Sequence, residues 1–546
     1  MRRNLAWWLC AVGLLGCQCR RPATPPAPPP DALERVPADV HAALWGERAS
    51  AATGAAAALL ARLDGTRPGA ARAQLAEQLG FDATTPEGLA AAGIRPEGPW
   101  AAAVLASGFG LWLPVQDAGA LTTALHHLGK DLQGADRVEE FGAGEWKARQ
   151  YARPFGSRQV PVFCVGLGAE VAVLTTGKDC RAQLEALARV VPAASLGRSA
   201  AAAEARPRAG TAPVRFLVQT AYAAKLGEKS ANAGKLVRLA AGGVTATSAG
   251  AAWDAWLALT EERRAGVRAG LFPPGGAVPL TAVVDADAVA LGRGALAWDT
   301  ARSVADGVDP TALAGVRKQA GRAGVDLEEG ILGLTDGNYA GALYTLEPTA
   351  WAEVLRGGWD VRSQLMRVAP FVVVMRPGPG VTPQTLVDRI RERMRARGVT
   401  LTAHPSDGAV EVANFPGGPA WKRWFLATER GVVLVGGGSD ARFLRAVARL
   451  RGTQPAAALD AATTAAFAQE GASTLLLRTH QAAEVLDGVL RQDLGTDAEA
   501  LSIQSILRKV RAQLGALAGV RLVLAPDGDG LRLTLAVDWS TAAGPK

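Results

Sequence analysis

The side chains best suited to catalysis or metal binding are few in this sequence, and their spacing excludes the commonest kinds of site. Among 546 residues there are five histidines and five cysteines. No histidine begins an HExxH motif or lies at zinc-ligand spacing from a cysteine. No serine has glycine both two residues before and two residues after it, and none is followed three residues later by lysine. We therefore expect no metal site, no bound cofactor, no catalytic residues and no enzymatic activity.

Two pairs of aspartates have the spacing of a carboxylate dyad or of part of a calcium loop. They are Asp285 with Asp287 and Asp527 with Asp529. Each pair lies between stretches of alternating apolar residues, and too few further oxygen ligands follow for calcium. Asp tolerates the backbone angles of tight hairpin turns. We interpret both pairs as turn residues.

Trp421 and Trp424 are the candidates for ligand contact. They flank Lys422 and Arg423, and such a cluster could stack on a sugar or insert into an interface. Core packing is the favoured alternative, because tryptophan is usually largely buried.

Cys164 and Cys180 are candidates for a disulfide bond. Cys164 lies in the predicted strand "VPVFCVG", and Cys180 begins the predicted helix "CRAQLEALARV", which could fold back over that strand. In an oxidising compartment the two could pair, with two buried thiols as the alternative. The positions aligned with them later in the chain hold Phe425 and Ala441, so both cysteines are missing there together.

The first seventeen residues form a targeting pattern. Arg2 and Arg3 precede an uncharged run from Leu5 to Gly16, which has the length of a secretory signal and is too short to span a bilayer. Leu14, Leu15, Gly16 and Cys17 then resemble the bacterial lipoprotein signal, in which a small residue precedes a cysteine that is lipidated and becomes the new N-terminus. The resemblance implies a signal peptide at residues 1–16 and a palmitate-type lipid on Cys17. An ordinary cleaved signal is the alternative.

The resemblance also implies a location in the cell envelope. Gln18, in place of Asp, favours the outer membrane. Residues 17–35 are predicted to be a lipidated tether, because the prolines between Pro22 and Pro30 favour an extended chain of about 28 Å at about 3.1 Å per residue. Membrane contact through the lipid, and an envelope protein or the cell wall as partner, follow as expectations.

Charge excludes one class of partner. The formal charge is +8, which is mild for this length, and the arginines are scattered. The run Arg391–Gly398 has helical spacing and indicates a solvated helix face, so we expect no nucleic-acid binding.

The remaining chain is predicted to contain two copies of one unit. Similar segments recur in the same order, each with matching strand, turn and helix patterns. The pairs are Gly80–Ile94 with Gly324–Leu334, Gly98–Leu105 with Gly337–Tyr344, Glu170–Val190 with Gly431–Arg451, and Val214–Leu226 with Thr474–Leu486. Leu280–Asp299 and Val520–Trp539 both alternate around an Asp-rich turn, which predicts a closing hairpin for each copy.

These patterns predict an α+β fold with mainly antiparallel sheets, divided into a first repeat at 36–310 and a second at 311–546. The layout resembles uncharacterised tandem-repeat lipoproteins of high-GC Gram-negative bacteria such as myxobacteria. That resemblance rests on the segment Val36–Gly46, the "GFD" helix start and the paired hairpins, and it implies no catalytic residues. We expect a membrane-anchored, non-enzymatic scaffold or binding module. The alternatives are a carrier or chaperone for an apolar molecule held between the lobes, and an enzyme with an unrecognised site.

Overall fold

The protein is described by a computed structural model, and its fold is α+β with antiparallel sheet, as predicted. The described residues are 31–63, 69–222, 232, 234–272, 283–308, 311, 314, 317, 332–345, 370–396, 398–414, 423–468, 472–491 and 498–539. The chain divides into two compact units, and the division falls between Leu259 and Thr260. No described helix is both long and apolar enough to cross a membrane.

Unit 1 contains an antiparallel sheet of ten described strands. Its strands are β1 (Ala42–Gly46), β2 (Trp100–Leu105), β3 (Gly108–Pro114), β4 (Arg137–Ala143), β5 (Trp146–Phe155), β6 (Arg158–Leu167), β7 (Val171–Thr176), β8 (Val214–Gln219), β9 (Val237–Ala246) and β10 (Gly250–Leu259). Both faces of the sheet are covered, so apolar residues lie on both sides of its central strands and do not alternate strictly with polar ones. Ala101 and Ala103 of β2 lie in one core, whereas Ala102 lies in the other.

Helices cover both faces of this sheet. They are α1 (Ala49–Leu63), α2 (Ala70–Leu79), α3 (Pro86–Ala91), α4 (Ala118–His127), α5 (Cys180–Leu187) and α6 (Ala200–Ala209). Leu184 of α5 and Ala205 of α6 are buried in the first core, and Leu121 of α4 is buried in the second. Asp117 begins α4 by accepting hydrogen bonds from the backbone N–H groups of Gly119 and Ala120.

Unit 2 also contains ten described strands. They are β11 (Ala290–Ala295), β12 (Thr335–Leu343), β13 (Phe371–Pro377), β14 (Thr400–His404), β15 (Asp407–Asn414), β16 (Trp424–Glu429), β17 (Val432–Gly437), β18 (Ser473–Leu477), β19 (Leu517–Asp527) and β20 (Gly530–Trp539). Its helices are α7 (Glu261–Leu271), α8 (Trp298–Val308), α9 (Pro383–Ala396), α10 (Asp440–Arg451), α11 (Ala461–Ala468), α12 (Thr479–Leu490) and α13 (Ala498–Gly515). Phe443 of α10 is buried in one core, and Leu386 of α9 in another.

The two units have the same strand order. Hydrogen-bonded neighbours in unit 1 run β4-β5-β6-β7-β3-β2-β1-β8-β9-β10. In unit 2 they run β14-β15-β16-β17-β13-β12-β11-β18-β19-β20. The helices also correspond, because α4 and α9 follow the third strand of their units and α5 and α10 follow the seventh.

The hairpin predicted for Leu280–Asp299 is wrong. Ala290–Ala295 is a single strand, β11, that pairs with β12 and β18. It is the first described strand of unit 2, and the chain divides between Leu259 and Thr260, so unit 2 begins before the predicted repeat boundary between residues 310 and 311. Unit 1 closes instead with the β9–β10 hairpin, in which Ala251 pairs with Ala246.

Candidate functional sites

Two of the predicted site residues, Cys17 and Trp421, lie outside the described residues. Trp424 is the first residue of β16 and is half-buried. It packs against the core that α9 forms with the sheet, and its ring stands edge-on to Phe371 with ring centroids 5.7 Å apart. Trp424 is therefore part of the packing of unit 2.

Cys164 and Cys180 form a disulfide bond in unit 1. Their Cα atoms are 5.6 Å apart, and neither residue has exposed surface. Cys164 lies on β6, and Cys180 is the first residue of α5. The hydroxyl of Thr175, which is paired with Cys164 in the sheet, donates a hydrogen bond of 2.8 Å to the Cys180 carbonyl. The disulfide bond fixes the beginning of α5 to the sheet.

Unit 2 fixes the corresponding helix, α10, by different means. Phe425 of β16 stacks on Phe443 of α10, with ring centroids 5.3 Å apart, and both rings are buried. Three arginines of α10 also reach a loop that precedes β11. This loop contains Asp285 and Asp287, which the sequence predicted to be hairpin-turn residues.

Asp285 is the centre of this ion cluster. It is 8% exposed, and its carboxylate contacts Arg445 at 2.6 Å, Arg449 at 2.8 Å and Arg442 at 3.3 Å. Arg442 binds Asp287 through two hydrogen bonds of 2.6 Å each. The predicted turn is present, because the Ala288 N–H donates a hydrogen bond to the Asp285 carbonyl across Ala286 and Asp287, but it is not the tip of a hairpin. The two carboxylates also anchor a helix across a long sequence separation.

Tyr344, which directly follows β12, contacts both Asp285 and Arg442 of this ion cluster. The Asp285 backbone N–H donates a 2.9 Å hydrogen bond to the Tyr344 hydroxyl, and the Arg442 guanidinium lies 4.3 Å from the centre of the Tyr344 ring. Burial raises the pKa of Tyr344 to about 12. The hydroxyl consequently stays neutral over the physiological range and acts as a fixed hydrogen-bonding group.

The charge state of Asp285 is also fixed. Burial alone would raise the pKa of the Asp285 carboxyl, but hydrogen bonds and charge from Arg445 and Arg449 outweigh burial and lower it. A carboxylate held ionised by several guanidinium groups is a poor general acid or base near neutral pH. The geometry therefore supports a structural role for this cluster.

Sequence reasoning missed the arginines of this cluster. Arg442, Arg445 and Arg449 have i, i+3 and i+7 spacing in α10, which places them along one side of the helix. That spacing was a signal for a shared acidic partner. Nothing local to α10 indicated that the partner would be Asp285, about 160 residues earlier.

Other polar groups of unit 2 are also engaged in structural hydrogen bonds. Arg478 is 6% exposed and donates to Asp460 at 2.8 Å and to Thr463 at 3.0 Å. The Nδ1 atom of His480 donates to the Ala518 carbonyl at 2.9 Å. Across the described ranges, no group of three or more His, Cys, Asp or Glu residues could hold a metal ion.

Comparison with known proteins does not assign this chain to a family. No family model matches the chain, and no curated protein matches it. A solved structure, crystal form III of TP0453, is similar over 50% of this chain and 83% of its own length, at 12% identity and a TM-score of 0.25. A likeness this weak carries no conclusion about fold or function.

Proposed function

We propose that the protein is a lipid-anchored component of the bacterial cell envelope, facing the periplasm or the cell surface, whose two α+β units serve as a scaffold or binding module. The anchor is Cys17, the new N-terminus left by removal of residues 1–16. The predicted tether of residues 17–35 is too long at its end, because Ala32–Arg35 form a short 3-10 helix and Leu33 is buried in the core of unit 1. Residues 17–30 tether the folded units to the membrane, and the outer membrane is the favoured location because residue 18 is Gln.

The observation that carries this proposal is the buried Cys164–Cys180 disulfide. Disulfides persist in oxidising compartments such as the periplasm and are rare in the reducing cytosol. A disulfide in the folded body and a lipoprotein-like signal at the N-terminus are independent features that indicate the same compartment. Asp285 and Arg478 are held in ion pairs within unit 2, so neither group supports a catalytic role.

Lipidation is tested by changing Cys17 to serine. We expect the unaltered chain to incorporate labelled palmitate and to sediment with membranes, and we expect Cys17→Ser to lose both properties because no thioether can form. Cys19→Ser is the matched control and should behave like the unaltered chain. Palmitate incorporation that survives Cys17→Ser would contradict the proposed anchor.

A second candidate function, the carrying of an apolar molecule, is favoured by one face of the unit 2 sheet. Tyr339 and Leu343 on β12 and Leu475 and Leu477 on β18 are 36% to 42% exposed. The strand between them, β11, pairs Ala290 with Leu343 and Leu477 and places small residues between the larger side chains. An exposed apolar patch of this kind is typical of an interaction site.

This second candidate predicts that an acyl-chain lipid is retained during native purification. Native mass spectrometry should then show an added mass that disappears in Leu475→Asn, because a polar side chain on this face raises the cost of apolar contact. Leu501→Asn on α13, where the leucine is 55% exposed, is the matched control and should retain the mass. Absence of any bound lipid in the unaltered protein would count against a carrier.

A further inference from the structure

The β5–β6 hairpin of unit 1 ends in a protruding tip. The neighbouring strand β4 pairs with β5 only as far as Ala152, and β7 pairs with β6 only from Phe163 onward. Within the hairpin, pairing continues to Phe155 and Arg158. The tip therefore extends beyond the strands on both sides.

The tip exposes a large apolar side chain between basic ones. Phe155 is 73% exposed, the highest value among the large hydrophobic residues described. Residues 154–159 are all exposed. An aromatic ring in this position contributes nothing to the core and presents its faces to a binding partner.

The charge of the hairpin is of one sign. From Trp146 to Ala169 the sequence has no Asp or Glu, and its four basic residues are Lys147, Arg149, Arg153 and Arg158. Glu140 of β4 binds Arg149 at 2.8 Å near the base of the hairpin. Arg153 and Arg158 lie nearer the tip, on either side of Phe155. Such a surface is complementary to a polyanion.

The tip lies at the end of the sheet opposite to the tether. Arg35, which ends the short helix that follows the tether, lies 3.5 Å from Glu170, just beyond the last residue of β6. The tip is at the first residue of β6, which is ten residues long. At about 3.3 Å per residue, the tip and the tether attachment are about 30 Å apart.

We propose that this tip binds the cell wall through the carboxylates of its peptide stems, with the Phe155 ring against the sugar chain. The inference rests on the proposed function, which places the tether in a membrane and the folded units beside the wall. A bilayer is the less favoured partner, because the tip is at the end of unit 1 opposite to the tether. Carboxylates bind guanidinium groups through charge-assisted hydrogen bonds.

The test is sedimentation of the full-length Cys17→Ser chain, which lacks a lipid of its own, with purified peptidoglycan sacculi. We expect salt-sensitive binding that becomes about tenfold weaker in the double variant Phe155→Ser with Arg158→Gln. The matched control is Val191→Ser with Arg189→Gln. Val191 is 58% exposed and Arg189 is exposed, and both lie outside the β5–β6 hairpin, so this variant should bind normally.

Three results would overturn the proposal. The first is that the Cys17→Ser chain with an unaltered hairpin does not sediment with sacculi. The second is that the tip variant and the control variant weaken sacculus binding equally. The third is that the chain binds phosphatidylethanolamine–phosphatidylglycerol vesicles and does not bind sacculi. Circular dichroism establishes that both double variants are folded. Because the assay uses a lipid-free chain, its failure is distinct from a failure of palmitate incorporation at Cys17, which would refute the anchor instead.

Discussion

Replacing Asp285 with asparagine should destabilise unit 2 by about 3 kcal/mol, the lower end of the range for removing one partner of a buried ion pair. The carboxylate balances Arg442, Arg445 and Arg449 at distances of 2.6 to 3.3 Å. Asparagine keeps the shape but leaves these guanidinium groups facing one another with less compensating charge. The lower end applies because the Arg445 side chain is 39% exposed and is partly solvated.

The measurement is urea unfolding followed by hydrogen exchange, so that lost stability can be assigned to peptides of each unit. Peptides from α10 and β11 should lose protection in Asp285→Asn, and peptides from α5 should not. Asp287→Asn is the matched control, because the Asp287 side chain is 58% exposed and contacts Arg442. Exposed pairs contribute about 1 kcal/mol or less. Equal effects of the two substitutions would contradict a central role for Asp285.

The stabilisation that the Asp285 carboxylate provides should be lost in acid. Because Arg445 and Arg449 hold the pKa of Asp285 below its ordinary value of 3.8, the ionised form stabilises the fold at every pH above that value. The contribution is lost as the pH falls through the lowered pKa of the folded chain. The stability difference between the unaltered protein and Asp285→Asn should therefore be constant from pH 5 to 8 and shrink below pH 4.

Local patterns were sufficient to predict many of the elements. The predicted strand, glycine turn and helix at Glu170–Val190 and Gly431–Arg451 correspond to β7 with α5 and to β17 with α10. Apolar alternation and helical spacing depend only on residues that are close together in the sequence, so they can be recognised from the sequence alone.

Pairing partners could not be predicted in the same way. The segment before Asp299 alternates as a hairpin does, but its strand, β11, pairs with β12 and β18. The same pattern fits a hairpin and a strand that joins a sheet through distant partners, and only the rest of unit 2 decides between them. The ion cluster was missed for the same reason, because Asp285 and the arginines of α10 meet only after the sheet has formed.

Removing the disulfide with Cys164→Ala and Cys180→Ala should lower the free energy of unfolding of unit 1 by about 3 kcal/mol. The two cysteines are 16 residues apart, and closing a loop of this length restricts the unfolded chain by about that amount. Hydrogen exchange should show the loss in peptides of β6 and α5. Unit 2 peptides are the internal control, because Phe425 and Phe443 hold the corresponding helix there without a covalent bond.

Reduction provides the second arm of this experiment. A thiol reductant applied under denaturing conditions should lower the refolded stability of the unaltered chain to that of the double variant, and it should leave the double variant unchanged. A reductant effect of equal size in both chains would mean that the stabilising bond is elsewhere. If the double variant and the oxidised unaltered chain unfold at the same urea concentration, the disulfide does not stabilise unit 1. Packing around Leu184 would then hold α5 against the sheet without the disulfide.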